Sequence, residues 1–209
     1  MQIDDHIARC PWVDLSKPDY VEYHDKEWGV PVHEDRTIFE FLTLEAFQAG
    51  LSWYTILKKR NNFRIAFDQF DPEKVARYGE RKIQELLLNP GIIRNRAKVL
   101  AAVNNAKKFL EVQEQFGSFN AYIWGFIGNK PIVSELRELK DYPAKSPESE
   151  TMSKALRKKG FSFVGPTVCY AHMQATGMAN DHTICCYRRR EIIEQYETGK
   201  AFKGDRAIE

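Results

Sequence analysis

The chain has 209 residues, 43% hydrophobic and 29% charged, enough to bury a core in one domain or two small lobes without disulfide staples. Its 31 basic and 29 acidic residues leave a net charge of +2, which excludes a polycation holding nucleic acid by bulk charge; any such contact must come from local clusters. The longest uncharged apolar stretch, near Ala121 to Ile127, is far too short to span a bilayer, and the opening MQIDDHIARC lacks the apolar core of a secretory signal, so a folded cytoplasmic protein is expected.

Taken in chain order, the periodicity is helical. Asp35 is a good N-cap for the run DRTIFEFLTLEAFQAG, which places Ile38, Phe41, Leu42, Glu45 and Ala49 on one stripe before Gly50 closes it. Ser52 caps a second helix expected to run through Arg60. Asp71-Pro72-Glu73 opens a short helix to about Tyr78. Another helix spans Arg81 to Leu88 and is broken by Asn89-Pro90-Gly91, after which a long helix runs from about Arg94 to Phe116. Short helices follow near 118–127, 149–159 and 166–176, with a loop over Leu139 to Glu150 and no convincing alternating strands. The fold class is therefore all-α. Residues 1–187 read as one unit of two helical lobes with a hairpin near 81–98, and 188–209 as a C-terminal extension.

Four cysteines in a chain with no signal argue for reduced thiols or a metal rather than a disulfide framework. Near the C-terminus, His182 and Cys186 have a spacing that puts both on one helical face; near the N-terminus, 13 residues separate Cys10 from His24. Together they have the Cys₂His₂ composition of a closed structural zinc site, which would tie the two ends of the chain together. Cys185 competes with Cys186, and His6, His33 and His172 compete with His24. Glu45 is the second cue, because a carboxylate on an apolar stripe is costly unless paired, hydrogen-bonded or waiting for a ligand's donors. The third is the front-loaded aromatic set, Trp12, Tyr20, Tyr23, Trp28, Trp53 and Tyr54. Such rings are core packing or the walls of a slot for a flat heteroaromatic ligand, as in the grip on a flipped nucleobase. The fourth is the turn Gly91-Ile92 with Arg94, Arg96 and Lys98, whose helix-start N–H groups and charges suit a DNA phosphate.

As a set, these residues resemble one family. Arg9-Cys10-x-Trp12, Tyr23-His24-Asp25-x-Glu27-Trp28-Gly29-Val30-Pro31, Leu44-Glu45 and Gln48-Ala49-Gly50-Leu51-Ser52-Trp53 are similar to the constitutive bacterial 3-methyladenine DNA glycosylase I family. Gly91-Ile92-Ile93-Arg94, Lys158-Lys159-Gly160-Phe161-x-Phe163-Val164-Gly165 and Asn180-Asp181-His182 continue the match, over about residues 8 to 187. The resemblance implies a helix-hairpin-helix glycosylase fold with one structural zinc held by Cys10, His24, His182 and Cys186. It also implies that Glu45 is the pocket carboxylate that reads the adenine amino edge. Trp53 is implied as the ring stacking on the base, and Trp12, Tyr20 and Tyr23 as further base-pocket positions. Ala46 and Phe47 depart from the Gly-Gln pair of familiar members.

The implied activity is monofunctional hydrolysis of the N-glycosidic bond of 3-methyladenine, with 3-methylguanine as a further substrate, in double-stranded alkylated DNA. A monomer would flip the base, release it free and leave an abasic site. Alkylation at N3 makes the purine a cationic leaving group, so no general acid is required. The absence of Asp between Asp71 and Asp141 agrees with a reaction on an already weakened bond. Two other classes compete: a zinc-stabilised module that binds damage without cutting, and a structural zinc protein without DNA affinity.

Overall fold

The computed structural model describes residues 7–198. Along the chain run α1 (Pro18–Lys26), α2 (Asp35–Gln48), α3 (Trp53–Leu57), α4 (Arg60–Ala66), α5 (Pro72–Ala76), α6 (Glu80–Leu88), α7 (Arg96–Phe116), α8 (Phe119–Trp124), β1 (Ile132–Val133), α9 (Pro147–Lys158), α10 (Pro166–Ala175), β2 (Ala179–Asn180) and α11 (Tyr187–Thr198). The protein is mostly helical, as expected, but β1 and β2 form a two-residue parallel pairing, Ile132 with Ala179 and Val133 with Asn180. No helix among the described residues is long and apolar enough to cross a membrane. The described residues form two compact units, the first from residues 7–32, 130–144 and 173–198, the second from 33–129 and 145–172.

In the second unit the local signals act through side-chain caps. Ser52 accepts from the Thr55 N–H, Asp71 from the Glu73 and Lys74 N–H groups, and Asn95 from the Lys98 N–H, each satisfying orphan donors at a helix start. Asp35 is not the cap of α2. Glu34 is, taking the Arg36 and Thr37 N–H groups, while the Asp35 carboxylate accepts from the Gln113 side chain and from the Phe119 and Asn120 N–H groups. One acid thereby fixes the start of α8 against α2. The helix begun at Ser52 ends at Leu57 rather than Arg60, where α4 opens. The expected loop 139–150 contains a short 3-10 turn, which belongs to the first unit, and the first residues of α9, capped by Ser146, in the second. The core is aromatic: Phe47 packs on Phe63 and Phe67 at 4.9 and 5.7 Å, and Phe109 stacks on Phe119 at 4.0 Å.

The first unit is built around the β1–β2 pairing. The Ile132 and Ser134 N–H groups donate to the Met178 and Asn180 carbonyls, and the Ile184 N–H to Leu136. These bonds anchor both sides of the segment 180–184. Gly177 (φ +68°) must be glycine, since a Cβ there would run into the backbone of Val30 and Pro31. α11 begins where the Tyr187 N–H donates to the Ala8 carbonyl, and it buries Ile192. The extension 188–209 thus opens as a helix, and residues 199–209 lie outside the described part.

Candidate metal centre and buried carboxylate

Cys10, His24, His182 and Cys186, all in the first unit, bring their ligand atoms within 4.8 Å of one another, and all four are buried. His182 Nδ1 lies 3.3 Å from Cys10 Sγ and 3.4 Å from Cys186 Sγ, and His24 Nε2 lies 3.5 Å from Cys186 Sγ. His24 comes from α1. His182 and Cys186 do not share a helical face as their spacing suggested. They meet through a turn ahead of α11, in which the Cys186 N–H donates to the Thr183 carbonyl.

The nitrogens turned away from the cluster are also held. His182 Nε2 donates to the Trp28 carbonyl at 2.9 Å, and Gly29 is what allows this approach, since a Cβ there would stand 3.0 Å from the His182 ring. His24 Nδ1 meets Asp25 Oδ1 at 2.7 Å, and Asp25 is gripped by the Arg9 guanidinium through Nε at 2.9 Å and Nη2 at 2.8 Å. Each imidazole is therefore fixed in the tautomer that leaves its cluster-facing nitrogen as a donor atom for a metal. Burial works against the Asp25 carboxylate, yet His24 and Arg9 hold it down at about 2. The two thiols share a contact that lowers Cys10 and raises Cys186. Among the sequence competitors, Cys185 is exposed; the remaining cysteine, Cys169, is a buried thiol pushed up to about 12 by burial. His33 and His172 belong to the second unit, and His6 lies outside the described residues.

Trp12 packs against Tyr20, His24 and Trp28 at 5.1, 5.2 and 4.9 Å, so its position is set by α1 and by a cluster ligand. Its indole Nε1 is buried and finds no acceptor among the described residues. Tyr23 is buried beside His24, and Tyr20 is half-buried.

In the second unit, Glu45 sits in the middle of α2 and is 4% exposed. Among the described residues no donor or cation meets its carboxylate, and burial alone pushes its pKa up to about 8. An acid in that state is a strong candidate for ligand recognition, because it lacks the partner a structural acid would have. Trp53, at the start of α3, is half-buried and stacks on Phe41 with ring centroids 6.4 Å apart. The departure at Ala46 and Phe47 is absorbed locally. Phe47 is fully buried in the aromatic core, and Ala46 is buried as well.

The turn between α6 and α7 differs from expectation. Lys98 was expected to meet phosphate, but it is buried at 7% exposure and its Nζ donates to the Phe47 and Ala49 carbonyls, both at 2.7 Å. It closes the C-terminal end of α2, the helix that carries Glu45. The Gly91 N–H donates to Asn89 Oδ1, buried Ile92 anchors the turn, and Lys59 Nζ donates to the Pro90 carbonyl. Arg96 pairs with Glu80 at the surface, which leaves Arg94 exposed and without a partner among the described residues.

A second helix–turn–helix, α9 to α10, was matched in sequence but given no role. Asn104 donates to the Gly160 carbonyl, Asn105 clamps both the N–H and the carbonyl of Ser162, and Ser153 donates to the Val164 carbonyl. The loop so held presents Phe163 with φ +55° and 39% exposure, just ahead of the first turn of α10. The left-handed Phe163 was not legible from residue types, since that conformation disfavours side chains other than glycine, asparagine and aspartate.

The family model described as methyladenine glycosylase matches residues 12–189. A relative named DNA-3-methyladenine glycosylase 1, from Escherichia coli K12, is 45% identical over 183 residues, covering 87% of this chain and 97% of the relative. One named DNA-3-methyladenine glycosylase, from Haemophilus influenzae Rd, is 47% identical over 179 residues, covering 86% of this chain and 96% of its own length. Among solved structures, a variant of 3-methyladenine DNA glycosylase I in complex with 3-methyladenine superimposes with a TM-score of 0.83 at 33% identity, over 87% of this chain and 97% of that one. A match of this extent, together with the buried acid and the Cys/His cluster, places the chain in the methyladenine glycosylase family.

Proposed function

We propose that the protein is a monofunctional DNA glycosylase that releases 3-methyladenine, and 3-methylguanine as well, from alkylated double-stranded DNA in the cytoplasm, leaving an abasic site. The observation that carries this reading is Glu45, a carboxyl buried in α2 with no described partner and a pKa raised to about 8. A flipped, alkylated adenine brings the amino group that such an acid lacks. Trp53, in the same unit as Glu45, stacks on the base. In the first unit, Trp12 has a buried indole N–H with no acceptor among the described residues, which marks it as a ligand candidate; Tyr20 and Tyr23 are the further positions that the resemblance implies.

The reaction needs little acid–base help. The N3-alkylated purine is cationic, so heterolysis of the glycosidic bond releases a neutral base while positive charge develops on the sugar. Glu45 ionises as the base's donors reach it, and in that form it favours the bound, extruded base over the stacked one. Because its resting proton must leave, base affinity rises with pH up to about 8 and levels off above it.

We further propose that Cys10, His24, His182 and Cys186 hold one structural zinc. Metal–sulfur bonds of about 2.3 Å and metal–nitrogen bonds of about 2.0 Å give S···N edges of about 3.5 Å in a tetrahedron, close to the 3.3 to 3.5 Å separations among these atoms. When bound, the ion cross-links the two ends of the chain and closes its own coordination, so it supplies stability and takes no part in bond cleavage. DNA contact falls to Gly91, Ile92, Arg94 and Arg96, with Lys98 withdrawn from that set. The α10 start behind the clamped 160–165 loop is a second place where helix N–H groups can meet phosphate. The protein acts as a monomer, and the helix-hairpin-helix relationship is part of this reading.

The test is incubation of purified protein with methylated duplex DNA, followed by chromatography of released bases. Free 3-methyladenine with intact strands supports the enzyme. Tight binding without release would point to a damage-binding module, and neither result would leave a structural metalloprotein.

A further inference from the structure

Behind the proposed stacking ring lies a buried charge pair that the reaction itself does not use. Glu40 on α2 is 8% exposed, and its Oε1 takes Arg60 Nε at 2.5 Å and Arg64 Nη2 at 2.9 Å. Arg60 is 6% exposed, and its guanidinium carbon stands over the Phe41 ring, 4.8 Å from the centroid. Phe41 is 2% exposed, and its ring stacks on Trp53 at 6.4 Å with 22° between the planes. Phe41 and Glu45 are one helical turn apart on α2.

A buried arginine–glutamate pair is a poor way to gain stability, because desolvation offsets most of the attraction and apolar packing does as well. What it does supply is fixed geometry: a planar guanidinium, oriented by a carboxylate, lies flat on an aromatic face and restricts that ring. Resting on the proposed function, we infer that Arg60, oriented by Glu40, is a positioning residue for base recognition. It fixes the Phe41 ring and, through it, the plane of Trp53 on which the damaged base stacks. Arg64 shares the same carboxylate but makes no ring contact with Phe41 among the described residues, so it separates the ion pair from the ring contact.

The experiment measures binding of free 3-methyladenine by quenching of tryptophan emission, KM and kcat on methylated DNA, and the melting temperature, all on the full metal-loaded chain. Phe41→Leu, and the charge-balanced double variant Glu40→Gln with Arg60→Met, should weaken base binding about 5- to 10-fold with reduced quenching. Arg60→Lys should recover only part of this, since an ammonium cannot lie flat on the ring. Arg64→Met should stay within about twofold of the unaltered protein. Variants that melt lower yet bind the base with unchanged affinity and quenching would overturn the inference, and Arg60→Lys covers the case in which the others do not fold. If the unaltered protein binds no 3-methyladenine and releases none from DNA, the proposed function fails and this inference falls with it; intact wild-type activity with indifferent variants removes the inference alone.

Discussion

Two buried polar groups, one in each unit, show opposite states. Around His24 and His182, each imidazole nitrogen turned away from the cluster has a protein partner: Asp25 backed by Arg9 for one, the Trp28 carbonyl for the other. Around Glu45 there is burial and no described partner. The first arrangement pre-orients four donor atoms toward one point and is complete once an ion arrives. The second is incomplete by design of its surroundings, and a ligand with donors completes it. The difference separates a group that holds the fold from one that recognises something outside it, although both are buried and polar.

The largest effect that can test this contrast lies on the cluster. Cys186→Ser should abolish stoichiometric zinc and lower the melting temperature by roughly 10 °C or more, since a structural zinc contributes on the order of 10 kcal/mol of binding free energy to small domains. Metal analysis and calorimetry read both. Retention of full stability without metal would move the cluster out of the structural class. Asp25→Asn is the milder probe: it removes the charge that orients His24, and metal affinity should drop by about 10- to 100-fold with the four ligands intact.

Glu45 should behave in the reverse way. Glu45→Gln is expected to cut 3-methyladenine release by about 10²-fold or more while zinc content stays whole. Its stability should rise rather than fall. The folded pKa of about 8 stands above the ordinary 4.5, so between those values the native state keeps a proton that the unfolded chain has released. Stability of the unaltered protein therefore falls as pH rises from 4.5 to 8, and is flat on either side. The glutamine variant lacks that slope, and its advantage should grow from near zero at pH 4 to on the order of 4 kcal/mol at pH 8. Denaturant melts across that range would read it. A variant that loses stability equally at all pH values would mean that Glu45 has a structural partner after all.

Much of this was legible in residue order. Caps at Ser52 and Asp71, the break at Asn89-Pro90-Gly91 and the long helix after it are local decisions, made by short side chains and proline, whereas the Asn95 cap was not read and the helix starts at Arg96. α1 escaped because its buried residues are Val21, Tyr23 and His24, a metal-ligand candidate and an aromatic in place of an aliphatic stripe. α11 escaped because only Ile192 is buried along it, and its docking comes from bonds to Ala8 and Ser134 far away in the chain. His182 and Cys186 were paired correctly for the wrong reason, since a tight turn brings together the same two residues that a helix would. Glu45 was visible as an acid on an apolar stripe, but whether it had a partner is a three-dimensional fact.

Lys98 and Arg94 give the smallest and sharpest test, because sequence placed both on DNA and only one is free to go there. The Lys98 ammonium is desolvated, which lowers its pKa, and it closes two carbonyls at the end of α2. Lys98→Met should leave those carbonyls unpaired and cost about 1–3 kcal/mol of stability, with the salt dependence of DNA binding unchanged. Arg94→Ala removes an exposed cation and should leave stability within about 0.5 kcal/mol. It should instead weaken DNA binding across sequences and lower the slope of log affinity against log salt by about one. Fluorescence titrations at several salt concentrations, beside melts of the same two proteins, separate the effects. If Lys98→Met lowered the salt slope, the buried lysine would have to leave α2 on binding, and the carbonyls it closes would mark a helix end that opens when DNA arrives.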